Sequence, residues 1–382
     1  MSSPQVAARR RPKDRKAQII DAARALFVEN GFRNVSMAQI AEEVGITAGA
    51  LYRHFANKAV LLSAVIGSSL EDMAPHRDPD ESLAGVVARN CAYVVGRPDV
   101  GVLWWRETRN LPDEMATELW SQLRVVNRRY ADLVRSNRPT LHESSAWELA
   151  WGVQSIVATP GFHSSRLPPQ EFADLLASAC LAVCAVELAP PQEVSQDRSS
   201  RLVPVSKREA LLAHAVSLFD QRGYEATALA DIGAAAGITG PNLYSYFESK
   251  ADILQAGLER ATSALWLLLH SVMRDNDEPR GALVALVRGY SRLAVEKTIL
   301  TSLLAERVTL TEVARARQRE YVAEWTALLR AARPELEEVR ARILVHTALG
   351  LIHNMARIEH SHASQPFADR LAVMAEAVLL SA

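Results

Sequence analysis

The residue types in this chain that could do chemistry are arranged for gripping phosphate and reaching base edges, not for catalysis. Arg9, Arg10, Arg11, Lys13, Arg15 and Lys16 crowd the start with only Asp14 against them, a local arm suited to phosphate or a minor groove. Ala48, Gly49 and Ala50 are small enough to let a helix approach base edges in a major groove. Lys58 and Lys250 follow Asn57 and Ser249, residues suited to N-cap a helix, where a cation opposes the helix dipole and a shared phosphate would account for the choice. The strings that mark common enzymes are absent: no Gly-x-x-x-x-Gly-Lys-Ser/Thr phosphate loop, no Gly-x-Ser-x-Gly elbow and no His-Glu-x-x-His. No enzyme activity and no cofactor are expected.

Other reactive side chains give weaker signals. Cys91, Cys180 and Cys184 are an odd number in 382 residues, which argues against a disulfide framework and for a reducing compartment. Cys180 and Cys184, four apart, serve either as small core residues or in a redox or metal role. His346, His353 and His360 recur every seven residues, about 10 Å apart along a helix, too far to share one metal ion. No carboxylate or cysteine cluster completes a site with His360 and His362, so no metal is expected.

These groups need elements to hold them, and a repeat supplies those elements. Residues 19–62 recur as 211–254 at a constant offset of 192 without a gap, with Gly31/Gly223, Gly45/Gly237, Ile46/Ile238, Thr47/Thr239, Leu51/Leu243, Tyr52/Tyr244, Phe55/Phe247 and Lys58/Lys250 among the identities. In the first copy Ile19, Ile20, Ala23, Leu26 and Phe27 form one helical stripe, and Gly31 follows at a left-handed C-cap position. Ser36-Met-Ala-Gln39 reads as a capping box opening a second helix, Gly45 as a tight turn and Thr47 as the N-cap of a third helix. Two short helices around a glycine turn make a helix-turn-helix. The third helix buries Leu51 and Phe55 and turns Ala48, Gly49, Ala50, Arg53 and His54 to solvent, with Tyr52 at the edge.

The strings LFVENGF and IAEEVGITAGALYRHFANKAVLL, with their second versions LFDQRGY and IGAAAGITGPNLYSYFESKADIL, resemble the DNA-binding head of the tetracycline-repressor (TetR) family, twice in one chain. The resemblance covers under a third of the chain and implies roles residue by residue. Thr47, Tyr52, His54 and Lys58 would contact phosphates, while Ala48, Gly49, Ala50 and Arg53 face bases. In the second copy Thr239, Tyr244, Tyr246 and Lys250 would contact phosphates, with Gly240, Pro241, Asn242 and Ser245 toward bases. Arg15, Lys16, Lys207 and Arg208 would add basic contacts ahead of the two heads. The second copy departs from the first: Arg53 and His54 become Ser245 and Tyr246, Glu248 adds an acid, Ala228 replaces the Ser36 cap, and the arginine arm has no counterpart. It should bind DNA more weakly and prefer a different half-site.

The expected fold is all-α: two tandem TetR-like units, each a three-helix head with a helical regulatory and dimerisation body, related by a pseudo-two-fold. The boundaries read 1–16 basic arm, 17–62 first head, 63–188 first body, 189–206 linker, 207–254 second head and 255–382 second body. The linker is rich in Pro, Ser and charge and could extend to roughly 60 Å. Tandem copies make pairing intramolecular, so the chain should be a monomeric pseudo-dimer. Its partner faces should be 144–162 with 171–187, and 339–357 with 368–380. The implied partners are a double-stranded DNA operator and a small effector. Trp104, Trp105, Trp120, Trp147 and Trp151 in the first body, with Trp266, Tyr321 and Trp325 in the second, either pack the core and the inter-body face or line a pocket for an apolar, lipid-like ligand. The net charge of −1 assigns nucleic-acid affinity to local clusters. Residues 1–16 lack the apolar stretch of a signal peptide and no apolar run approaches a bilayer span, so no membrane partner and a cytoplasmic location are expected. The rival classes are an enzyme, a helical scaffold without DNA binding, and a regulator in which only the first head binds DNA.

Overall fold

The computed structural model describes residues 12–73, 81–162, 166–188, 205–224, 226–238, 240–296, 312–358 and 365–381. Among them there are helices and turns and no strand, as the proline-punctuated apolar periodicity requires. Pro169 and Pro279 each occupy the first position of a helix, where the missing N–H costs nothing. None of the described helices is long and apolar enough to cross a membrane. The described residues fall into two compact units, Met1–Ala74 with Asp99–Val126, and Pro75–Pro98 with Asn127–Ala382.

The first unit holds the first head. Helix α1 (Pro12–Asn30) ends at Gly31, whose φ of 78° and ψ of 148° suit a residue without Cβ. A short turn (Phe32–Asn34) leads to α2 (Met37–Val44). Ser36 caps α2 as the sequence predicts: its hydroxyl accepts from Gln39 N at 3.2 Å, and the Gln39 side chain accepts from Ser36 N at 2.7 Å. Gly45 closes α2 in the left-handed region, α3 spans Ala48–His54 and α4 Lys58–Met73. Ile19, Ala23, Phe27, Ile40, Leu51 and Phe55 form the core beneath them, none more than 2% exposed. The same unit contains α6 (Asp99–Val102), the π turn Leu103–Glu107, and the first half of α7 (Asp113–Asn137).

The second unit contains the second head: α10 (Lys207–Arg222), α11 (Leu229–Ala235), α12 (Gly240–Leu243) and the start of α13 (Lys250–Asp275). Gly223 and Gly237 repeat the positive φ of Gly31 and Gly45. With it go α5 (Leu83–Gly96), the second half of α7, α8 (Glu143–Val157), α9 (Pro169–Ala185), α14 (Pro279–Val295), α15 (Glu312–Ala332), α16 (Glu338–Arg357) and α17 (Gln365–Leu379). Within this unit α8 packs on α16 and α9 on α17. Gly152 lies so close to Met374 and Val183 that a Cβ there would stand 3.2 Å from the sulfur and 3.0 Å from a valine methyl. Asn354 Nδ2 donates to the Ser155 carbonyl at 3.0 Å. Cys91, Cys180 and Cys184 are all buried free thiols. Burial pushes the Cys184 thiol up to about 12 and Cys180 well above its usual range, with Cys91 adding to the latter, so they behave as core residues.

Candidate nucleic-acid interface

In the first head, α3 presents an open surface. Thr47, Ala48, Gly49, Tyr52, Arg53 and His54 are exposed and Ala50 is partly so, while Leu51 and Phe55 anchor the helix below. Tyr52 stands 52% exposed, its ring accessible on the outer side of the short helix. Thr47 Oγ1 accepts from Ala50 N at 3.2 Å; its hydroxyl proton remains available to an acceptor. Arg15 Nη1 reaches the Val44 carbonyl at 3.4 Å, and Lys16 Nζ lies 5.6 Å from the centre of the Phe55 ring. The arm residues Arg9, Arg10 and Arg11 lie outside the described residues, as does the Lys13 side chain.

The second head repeats this surface in shorter form. Tyr244 is 60% exposed and matches Tyr52. Asn242 and Ser245 are exposed, and Tyr246 is half-buried. Arg208 sits over Phe247 at 4.6 Å, the counterpart of Lys16 over Phe55, and Lys207 is exposed. Thr239 and the Pro241 side chain lie outside the described residues, and Gly240 opens α12. That helix covers four residues where α3 covers seven. Ser245 Oγ donates to the Asn242 carbonyl at 2.7 Å, drawing off an acceptor that a continuing helix would use. The turn Tyr244–Tyr246 follows instead. Ala228 cannot cap α11; only the reciprocal bond survives, Asp231 accepting from Ala228 N at 3.2 Å.

Residues 19–65 and 211–256 both match the family described as bacterial regulatory proteins, tetR family. Both heads are similar to that family over these residues. The HTH-type transcriptional regulator UidR of Escherichia coli strain K12 is 39% identical over 69 residues, 18% of this chain and 35% of that protein. The HTH-type transcriptional regulator TtgR of Pseudomonas putida is 45% identical over 56 residues, 15% of this chain and 27% of that protein. The chain thus spans about a third of the length of the curated relatives it matches. A TetR-family regulator from Bordetella parapertussis 12822, 21% identical, covers 44% of this chain and 93% of its own, with a TM-score of 0.41.

Lys58 and Lys250, expected on phosphates, have a set of partners within their own heads, onto which their ammonium groups fold back. Lys58 Nζ donates to the Phe32 carbonyl at 2.7 Å and the Val35 carbonyl at 2.6 Å, with the Arg33 carbonyl at 3.4 Å. It also lies 4.4 Å from the Phe32 ring centre. Lys250 repeats this on the Tyr224 and Thr227 carbonyls at 2.7 and 3.0 Å, and 4.3 Å from the Tyr224 ring. The physical reason is that the turn after helix one leaves carbonyls without helical acceptor roles. A lysine at the first position of α4 or α13 is placed to satisfy them, and the aromatic face adds to the attraction. Asn57 and Ser249 cap these helices as predicted, accepting from Val60 N at 2.9 Å and Asp252 N at 3.2 Å.

Sequence reasoning missed a second brace in the first unit. On the π turn, Arg106 Nη2 donates to the Phe27 and Val28 carbonyls at 2.9 Å each and Nε to Glu107 Oε1 at 2.5 Å. Glu107, 2% exposed, accepts at Oε2 from Phe32 N at 3.3 Å and Asn110 Nδ2 at 2.9 Å. This pair therefore fastens the end of α1 to the turn that carries Trp104 and Trp105. Only their charge in an otherwise apolar stretch could have drawn notice.

The expected aromatic residues form separate groups. Trp104 and Trp105 stand edge-on to Trp120 at 5.0 and 6.0 Å. Trp147 meets Trp151 at 5.9 Å, with Arg128 over Trp147. Trp266 meets Tyr321 at 5.6 Å, and Tyr321 meets Trp325 at 6.4 Å. The third group also includes three residues that the sequence left out of it: His270, 5.8 Å from Trp266, Tyr290, 5.5 Å from Trp325, and His353. Tyr290 Oη and His353 Nε2 are 2.7 Å apart. Enclosure of the ring, with the Arg357 charge adding, pushes the His353 pKa down to about 4. Neutral at ordinary pH, it serves the packing of α14 and α16.

Proposed function

We propose that the chain is a transcriptional repressor whose two unlike heads read an asymmetric or imperfectly palindromic operator while the two bodies pair within one chain. The observation that carries this reading is the repeated exposed surface: Tyr52 and Tyr244 stand out from matching positions, each above a leucine and phenylalanine anchor. The packing of α8 on α16 and α9 on α17 supports in-chain pairing. Thr47, Tyr52 and His54 are assigned to phosphates, and Ala48, Gly49, Ala50 and Arg53 to bases. In the second head Tyr244 and Tyr246 take phosphates and Asn242 and Ser245 face bases, as do Gly240 and Pro241. Repression is the simplest mode, because a bound chain occludes a promoter.

The effector is proposed to be apolar or lipid-like, held by one of the aromatic groups, whose packed rings offer apolar faces and edges. The tandem heads and the opening Arg-Arg-Arg-Pro-Lys-Asp-Arg-Lys also resemble the mycobacterial repressor of the third mammalian-cell-entry operon, which favours the same choice. Binding that discriminates between head arrangements by a few kcal/mol would release the DNA.

Footprinting of the DNA upstream of the chain's own gene tests the reading. Two protected half-sites are expected, one lost with Tyr52→Ala and the other with Tyr244→Ala. The four-residue α12 favours a second reading in which only the first head binds; an unchanged footprint with Tyr244→Ala would establish it. Sedimentation as a monomer at micromolar concentration is expected, and an obligate dimer would refute the in-chain pairing.

A further inference from the structure

An ion pair sits inside the packing between the two bodies, where ion pairs are costly. Glu148 on α8 accepts from Arg370 Nε on α17 at 3.1 and 2.9 Å through its two carboxylate oxygens, and the side chains are only 10% and 16% exposed. Arg370 is further held by the Pro366 carbonyl at 3.3 Å. A second pair across the same packing, Arg340 on α16 with Glu171 on α9 at 2.8 Å, is more exposed.

The two bodies can be put in register. Helices α8 and α16 begin at Glu143 and Glu338, and Phe172-Ala173-Asp174 recurs as Phe367-Ala368-Asp369, both at an offset of 195. Glu148 then corresponds to Ile343 and Arg370 to Leu175, both apolar and no more than 4% exposed. Glu171 corresponds to Pro366, and Arg340 to Ser145. Neither ion pair has a charged counterpart at the related position, so each body supplies one half only.

We infer that the Glu148–Arg370 pair makes the first body selective for the second and against copies of itself. The inference rests on the in-chain pairing proposed above and adds what enforces it. Two first bodies brought together would set each Glu148 against Leu175. Two second bodies would set each Arg370 against Ile343. In both cases two charges would be buried without partners, each at a cost on the order of a hundredfold or more in the pairing constant. The partner this surface fits is thus the other half of the same chain, and the tether selects that half over the same half of a neighbour.

The test uses full-length chains. Glu148→Arg alone places two arginines together, and Arg370→Glu alone places two carboxylates together. Each should melt lower than wild type. Refolded together with distinct isotope labels, they should form a mixed dimer, in which the arginine introduced into one chain faces the glutamate introduced into the other. Native mass spectrometry should count that species at least about tenfold above either self-dimer. The double variant Glu148→Arg/Arg370→Glu should return to a wild-type monomer. Single variants as stable as wild type, self-dimers as abundant as the mixed one, or a double variant that fails to recover would each overturn the inference. A wild-type chain sedimenting as a dimer would instead sink the in-chain pairing, and that failure is visible before any substitution is made.

Discussion

Lys58→Met separates two roles for one residue. The substitution keeps the apolar stem and removes the ammonium. In the structure that ammonium has two short bonds, 2.7 and 2.6 Å, to the Phe32 and Val35 carbonyls, and an aromatic face at 4.4 Å. Hydrogen bonds with a charged partner contribute about 1.5–3 kcal/mol when dry. Lys58 is half-buried, so about 1 kcal/mol apiece is the better figure, and the ring adds about 0.5 kcal/mol. The expected loss is therefore about 2–3 kcal/mol, borne by the turn between α1 and α2. It should appear as faster hydrogen exchange at the amides of 35–40, with operator affinity falling by a similar factor at every salt concentration. A lysine that neutralised a phosphate would behave differently: its loss would lower the slope of log affinity against log salt by about 0.9. A reduced slope with unchanged exchange would refute the carbonyl role and restore the phosphate contact.

Three further outcomes follow from named contacts. Gly350→Ala, which in an open helix would gain up to about 1 kcal/mol, should instead cost about 1–3 kcal/mol, because its Cβ would stand 2.5 Å from Thr159 Cγ2; Thr159→Ser should return most of the loss in thermal melts. Arg106→Leu leaves the 2%-exposed Glu107 without its guanidinium and should cost about 3 kcal/mol, and a change under about 0.5 kcal/mol in denaturant unfolding would show the brace to be idle. For His353 the folded pKa of about 4 lies below the ordinary 6.5, so the unfolded chain binds the extra proton between these values. Stability should be complete above about pH 6.5 and decline as pH falls toward 4, by about 3 kcal/mol in all; His353→Gln should flatten that part of the pH profile, and an unchanged profile would contradict the assignment.

What the sequence disclosed and what it withheld divide by range. Ser36, Thr47, Asn57 and Ser249 were legible as caps because each bonds an amide three residues on, and spacing alone states that relation. The glycines at 31, 45, 223 and 237 were legible because a repeat at 192 marks positions where backbone conformation is at stake. The carbonyl partners of Lys58 were illegible because they lie 23 and 26 residues upstream, where nothing local points; its position at a helix N-terminus suggested only an anion. Arg106 bonds carbonyls 78 and 79 residues away, on a π turn that no apolar periodicity announces. The partner of His353 was illegible because a seven-residue histidine series shows one helix and not the tyrosine opposite. The faces of α8, α9, α16 and α17 were legible as apolar stripes, whereas the single charged pair inside them was visible only once both helices were in place.

Duplication within one chain explains why such asymmetry is tolerated. In a homodimer every substitution occurs twice across the axis, so an interior Glu at the position of Glu148 would need an Arg at that of Leu175 in the same sequence. Two linked copies remove that constraint, and Glu148 can be matched by Arg370 while Ile343 and Leu175 stay apolar. The same release applies at the surface proposed to meet DNA. Arg53 and His54 on the seven-residue α3 correspond in the repeat to Ser245 and Tyr246 on the turn that replaces the end of α12. What both heads keep is what holds each head together: the glycine turns, the leucine and phenylalanine anchors, and the lysine on the turn carbonyls. What they change is what a half-site would read, so an operator with unequal half-sites is the footprint this division of residues requires, and equal half-sites would contradict it.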